Sequence, residues 1–550
     1  MRRYAGIGIA LAWSILLNFP HLYAWAAATR TGGVFAGSVV NLHDHNAYLA
    51  SVQDGMQGNV WLGALSFITE PNLPPALQFF HASPFYRILG WLYGLTGLPV
   101  NLFYLVVALI LAPLAFGAYS RLFAACLSNN QELWLAKGLL FAFPGLLWIN
   151  QGLQEWPEVE NYVPRGVLYA EAWGNVSLNP ITHNVYMPHF VAATIGVALL
   201  GHSLVQAIST RRTNIVTLVG FSLLVSMLLP SLGALWVAIG ASLVAYAFIR
   251  WGLPKRNSAL LILSFGPAGL LVLWVYQLSF QSEFWATYLQ RAISMTGKID
   301  FWLLALHLGV LGPLALWGGW LALRARSARN VGGVLAALWL LWTVIIALAN
   351  FTGSPRFMDG IYLPAIILAS RVIAEWRNTG FRWSNWRFVL VACFLFPGTL
   401  LTYVYPWVGQ IFVHFVDQRI NLLSDDLWPI RLSADEGKVL VWLQAHVAAE
   451  DVVAAGPVFG SFVPGFTGRR VYLGHIGFTL DFDRKLAALG WLDSVSHLPG
   501  LYGPTTIWLV NSPREPLPIP SEIYIENEIR ACTSLDFTFG EINVTQYSPC

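Results

Sequence analysis

Long apolar runs, repeated along three quarters of the chain, constrain this sequence more than any other feature. Eleven are readable, at about 5–28, 99–119, 133–149, 189–209, 214–229, 231–249, 258–279, 301–323, 331–350, 360–375 and 388–405. Each reaches or approaches the roughly 20 residues that carry a helix across about 30 Å of hydrocarbon. Composition agrees: 56% of the 550 residues are hydrophobic and 11% are charged, against about a quarter charged in ordinary soluble proteins. A soluble enzyme is excluded. The expected fold is an α-helical polytopic membrane protein of about 11 transmembrane helices with a small extracytoplasmic α/β domain at the C-terminus. Residues 1–405 form the membrane part, with long outer loops at 29–98 and 150–188, and residues 406–550 form the soluble domain.

Orientation follows from the basic residues in short connections, which favour the cytoplasmic side. With the N-terminus inside, cytoplasmic segments hold sixteen of the 31 Lys and Arg residues, among them Arg2, Arg3, Arg121, Arg211, Arg212, Arg250, Arg324 and Arg371. Outer loops hold six: Arg30, Arg87, Arg165, Arg291, Lys298 and Arg356. The expected location is the cytoplasmic (inner) membrane, with the C-terminal domain outside. Acids lean the other way, since only Glu132 and Glu375 face the cytoplasm. Any chemistry therefore belongs on the outer face. The span centres carry essentially no charged side chains, which argues against an ion-coupled transporter.

Other classes drop out quickly. A formal charge of +3 is too balanced for nucleic-acid binding. Cys126, Cys393, Cys532 and Cys550 show no C-x-x-C spacing, so no zinc site is implied. Cys532 and Cys550 lie outside and can pair in an oxidising compartment.

The outer loops are too long to be simple connectors. The first carries NLHDHNAYLASVQDGMQGNVW (41–61), which suits a short interfacial helix. Residues 83–98 suit a second, with Trp91 and Tyr93 at headgroup level. In the soluble part, helices are expected near 434–448 and 484–493 and strands near 451–455, 470–473 and 506–511. GPVFGSFVPG (456–465) lacks nucleotide-binding spacing. Arg469, Arg470, His475, Asp481 and Lys485 form a polar group that surface solvation or acceptor docking would explain.

Several segments, in order, resemble the GT-C polytopic glycosyltransferases, which use polyprenyl-phosphate-linked sugars. They are HDHNAY after the first run, QDGMQGNVW, TEP (69–71), MPHF (187–190), SPRFMDGIYLP (354–364) and TGRRVYLGHIGFTLDFDRK (467–485). The resemblance implies a sugar moved from a polyprenyl-phosphate donor to an unidentified acceptor at the outer face, with inversion. It implies Asp44 as general base, since a carboxylate in hydrogen-bond reach can take the acceptor's proton. Glu155 and Glu158 in QEWPEVENYVPRG (154–166) would assist, and His45, Tyr48, His189, Arg165 and Arg356 would hold substrate. Arg356 offers a planar fork suited to phosphate oxygens.

Bland readings stand beside these. Asp44 can simply cap a helix, the glutamate loop can be solvated, and Arg356 can meet lipid headgroups. Many members show adjacent acids where this chain has His43-Asp44-His45. The residues assign no cofactor with certainty, and a divalent cation on Asp44 and His45 stays open. A non-catalytic relative in glycan assembly is the alternative function, and a transporter the more distant one.

Overall fold

The structure is a computed structural model. It describes residues 2–30, 32–38, 42–58, 67, 83–141, 187–212, 214–281, 304–305, 308–325, 327, 330–349, 354–378, 431–474, 479, 482–490, 496–498, 506–517, 522–525 and 529–549. The chain gathers into two compact units that interleave in sequence. One comprises 1–17, 108–277 and 292–411; the other comprises 18–107, 278–291 and 412–550.

Five described helices are long and apolar enough to cross a membrane: Val100–Cys126, Pro188–Thr210, Pro230–Trp251, Lys255–Leu278 and Val331–Ala349. A sixth joins them if Gly6–Phe19 and His21–Arg30, bent by 55° at their junction, count as one crossing. The chain is a helical membrane protein, but the eleven expected spans are not supported. The run at 214–229 forms Ile215–Leu228 and that at 301–323 yields Leu311–Arg324, each of 14 residues. At about 1.5 Å per residue, such helices cover only about 21 Å. The run at 133–149 is described as far as Phe141, in the helix Asn130–Phe141, and its remainder lies outside the described residues. The run at 360–375 forms Tyr362–Asn378, of 17 residues. The run at 388–405 lies outside the described residues.

The first unit is built from helices. Here α6 (Pro188–Thr210), α7 (Ile215–Leu228), α8 (Pro230–Trp251), α10 (Leu311–Arg324), α11 (Val331–Ala349) and α12 (Tyr362–Asn378) pack pairwise. The break between α7 and α8 has a local cause. Leu229 precedes Pro230 and is extended (φ −141°, ψ 92°), and proline takes the first position of the new helix. With lipid on one side, close packing holds helices together more than apolarity does. Gly318 of α10 lies where a methyl group would sit 2.6 Å from the Leu368 carbonyl oxygen of α12. Trp236 of α8 meets Trp339 of α11 edge-on at 4.8 Å.

The second unit holds α2 (Leu42–Met56), α3 (Ser83–Tyr93) and the C-terminal tail. The tail carries α13 (Ala434–His446), α14 (Pro457–Thr467) and α15 (Phe482–Gly490) beside a seven-stranded mixed sheet. In chain order its strands are β3 (Val452–Ala454), β4 (Arg470–Val471), β5 (Ser496–Leu498), β6 (Ile507–Asn511), β7 (Glu522–Ile525), β8 (Ile529–Phe539) and β9 (Ile542–Pro549). Their order across the sheet is β4-β3-β6-β9-β8-β7-β5. The β3, β4 and β6 neighbours run parallel, and β8 and β9 form a hairpin turned at Gly540 (φ +61°). Val452, Ala454, Tyr472, Leu473, Leu509 and Tyr547 lie in its core.

Two features tie the early segment to the tail. β1 (Val34–Phe35) pairs antiparallel with β2 (Arg431–Leu432). α2 packs along α14, with Asn46 donating from its amide to Ser461 Oγ (2.9 Å) and Gln53 donating to the Gly465 carbonyl (3.1 Å). The glycine-bearing segment 456–465 is mostly helix. Pro457 starts it at the first helical position, and Gly468 (φ +68°) ends it.

Candidate functional site

In the second unit the candidate site is carried by α2, and α2 is held by α3 at three points. Tyr48 stacks on Tyr86 (ring centroids 4.5 Å apart, planes 15° apart). Asp54 forms an ion pair with Arg87 at 3.5 Å, with side chains 8% and 0% exposed. Gly55 and Gly90 let the two backbones meet: a methyl on Gly55 would collide with the Arg87 backbone, and one on Gly90 with the Val52 carbonyl. The sequence carried a signal for this clamp, because Arg87 stands alone in the apolar helix SPFYRILGWLY. A lone guanidinium turned inward needs a carboxylate partner.

Asp44 sits in the first turn of α2, not ahead of it, and is partly exposed. An acid there complements the helix dipole whatever else it does. Its charge lies within electrostatic reach of the Tyr104 phenol. His45 points elsewhere, as consecutive residues on a helix must. It is 1% exposed, edge-on to Tyr104 at 4.5 Å, with Nε2 packed against Gly37. Gly37 (φ +105°) can hold no side chain there. Burial pushes the His45 imidazole down to about 3, against the pull of the Ala36 carbonyl, so the ring is neutral at physiological pH. Tyr48 is 6% exposed. His45 and Tyr48, expected to hold substrate, are both buried side chains that pack α2 in place. Among the described residues no three His, Cys, Asp or Glu side chains group to hold a metal ion.

A second cluster lies in the first unit. His189 is buried at the start of α6, its ring 4.6 Å from Phe190. Arg356 sits in the 3-10 turn Ser354–Phe357, half-buried, with its guanidinium 5.9 Å from the centre of the Phe190 ring. Ser231 Oγ donates to the Arg356 carbonyl (2.9 Å), fixing that turn to α8. Asp359 follows, fully buried. Burial pushes its carboxyl well above the usual carboxylate range, and the nearby Arg356 pulls it back. Below it Tyr362 donates to the Tyr119 hydroxyl (3.1 Å), and Tyr119 bonds Thr194 Oγ1 at 2.7 Å. Sequence reasoning singled out Arg356 and missed Asp359 and the three hydroxyls. The D in PRFMDG was the available signal.

Glu155, Glu158 and Arg165 lie outside the described residues, as do His475 and Asp481. Arg469 donates to the Gln444 carbonyl (2.7 Å), and Lys485 is 1% exposed with its ammonium 5.3 Å from the centre of the Tyr472 ring. The second unit also contains a cavity of about 350 Å³ lined by Trp25, Phe35, Tyr93, Asn101, Leu440 and Phe466 among others. Among the described residues that line it none is charged. Compared with known proteins, the chain matches no protein-family model and no curated protein.

Proposed function

We propose that the protein is a membrane glycosyltransferase that moves a sugar from a polyprenyl-phosphate donor to an acceptor at the outer face of the cytoplasmic membrane. The observation that carries the reading is Asp44. It is a partly exposed carboxylate on a helix whose neighbouring side chains, His45, Asn46, Tyr48 and Leu49, are all buried. A carboxylate that reaches the surface on a packed helix can meet an acceptor hydroxyl, as a general base must. The acceptor hydroxyl gives its proton to Asp44 as its oxygen bonds the sugar carbon. The bond from that carbon to the phosphate oxygen breaks, and polyprenyl phosphate leaves with the electron pair. As the resemblance implies, Arg356 of the first unit, a planar fork suited to phosphate oxygens, is the candidate for the donor phosphate. Glu155, Glu158, Arg165 and His189 are further candidates for acceptor and donor. No step is routed through a divalent cation.

The test is release of polyprenyl phosphate from a panel of polyprenyl-phosphate sugars by the full chain in nanodiscs, beside Asp44→Asn of equal melting temperature. The wild type should release it, and the variant about 10² to 10⁴ times more slowly. Equal release by both would remove Asp44 from the chemistry. A non-catalytic role in glycan assembly would then be the better reading.

A further inference from the structure

The helix α3 presents two apolar faces. One packs on α2 through Tyr86, Arg87 and Gly90. The other is exposed: Ile88 (48%), Trp91 (59%) and Leu92 (41%), with Leu95 (72%) in the turn just past the helix end, keep the i, i+3, i+4, i+7 spacing of a single stripe. In a soluble protein that stripe would face the core. The one charged side chain of α3, Arg87, is turned inward to Asp54 and fully buried, so the outer stripe carries no charge. A surface arginine on an interfacial helix would reach for headgroups; this one does not.

What covers the stripe follows from its neighbours in the chain. The short link 94–99 leads directly into Val100–Cys126, a helix apolar enough to span the bilayer. Turn bonds from the amides of Gly94, Leu95 and Thr96 carry the α3 backbone into that link. The stripe is therefore continuous in sequence with a helix apolar enough to cross the bilayer. A helix with such a stripe beds into the boundary between headgroups and acyl chains.

We propose that Ile88, Trp91, Leu92 and Leu95 form a lipid-contact face, and that the clamp between α3 and α2 makes this face the seat that sets the height of α2, and of Asp44 on it, above the bilayer. The inference rests on the membrane-spanning helices and stands whether or not glycosyl transfer is the activity. Trp91 is at the lipid boundary, while Tyr93, half-buried, belongs to the cavity lining.

The test is spin-label accessibility in the full chain in phosphatidylcholine and phosphatidylglycerol nanodiscs, in a cysteine-free background. Labels go singly at Ile88→Cys, Trp91→Cys, Leu92→Cys and Leu95→Cys, with Lys438→Cys, 65% exposed on the tail, as the aqueous reference. All four α3 labels should be open to oxygen and shielded from a nickel chelate, at a depth of about 5 to 10 Å. Nickel access equal to that at Lys438→Cys overturns the proposal. Shielding from both reagents also overturns it, because a protein surface would then cover the stripe. A label at Met56→Cys, on α2, should gain nickel access when Ile88 and Leu92 are both replaced by Asp. No change there would separate α2 from the seat, and the four single labels would still decide the lipid face.

Discussion

Arg87 reaches Asp54 across the contact between two helices and pairs with it at 3.5 Å, with both side chains almost wholly out of water. A pair so enclosed is costly to break from one side, because the remaining charge stays buried. Asp54→Asn or Arg87→Met alone should lower stability by about 3 to 5 kcal/mol, measured by denaturant unfolding in detergent. Asp54→Leu combined with Arg87→Met should lose clearly less than the sum of the single changes.

The backbones of α2 and α3 meet at Gly55 and Gly90, where even a methyl group has no room. Gly55→Ala and Gly90→Ala should each cost about 1 to 3 kcal/mol from overpacking, read as a fall in melting temperature. Gly117→Ala is the control. A methyl there meets nothing within 4 Å, and the melting temperature should hold or rise slightly.

His45 is neutral in the folded protein, with its imidazole pushed down to about 3 from 6.5. Below pH 6.5 the unfolded chain takes up a proton that the folded chain refuses, so stability falls as pH drops from 6.5 towards 3. His45→Asn should flatten that part of the stability-versus-pH curve. An unchanged slope would show that the imidazole is not held neutral.

Glu515 acts in the opposite sense. Its carboxylate accepts the amides of Val458 (2.9 Å) and Phe459 (2.8 Å) at the start of α14, yet burial still raises it above 4.5. An acid raised on folding keeps its proton longer in the folded state, so stability declines as pH rises from 4.5 through the raised value. Thermal melts of Glu515→Gln across that window should show a smaller decline than wild type.

If donor phosphate is held by Arg356, Arg356→Ala should slow polyprenyl phosphate release by about 10² to 10³. Arg356→Lys should recover only part of the rate, since it restores charge without the planar fork.

Much of the scaffold was readable because its signals are local. Ser433 and Glu436, three residues apart, announce the capping box that starts α13, and both reciprocal bonds form. Helices expected within 41–61 and 83–98 are present as Leu42–Met56 and Ser83–Tyr93. The span count failed for a different reason. Apolar composition reports what a segment tolerates as surroundings, and not how far it stays helical without a break. The α14 helix contains Gly460, Pro464 and Gly465. Each weakens a helix in isolation, and packing against α2 overrides them. At the candidate site, composition marked Asp44 and Arg356. The clamp residues escaped notice because Asp54 and Arg87 acquire meaning only together.

Asn46 and Ser461 are bonded although 415 residues separate them. At about 5 to 20 residues per second, a ribosome needs some 20 to 80 s to travel from one to the other. Throughout that interval α2 has already left the ribosome while its docking partner has not been made. The helix that carries Asp44 is thus finished late in biosynthesis, and a chain cut short before residue 457 would insert its spans yet never assemble the platform beneath that carboxylate.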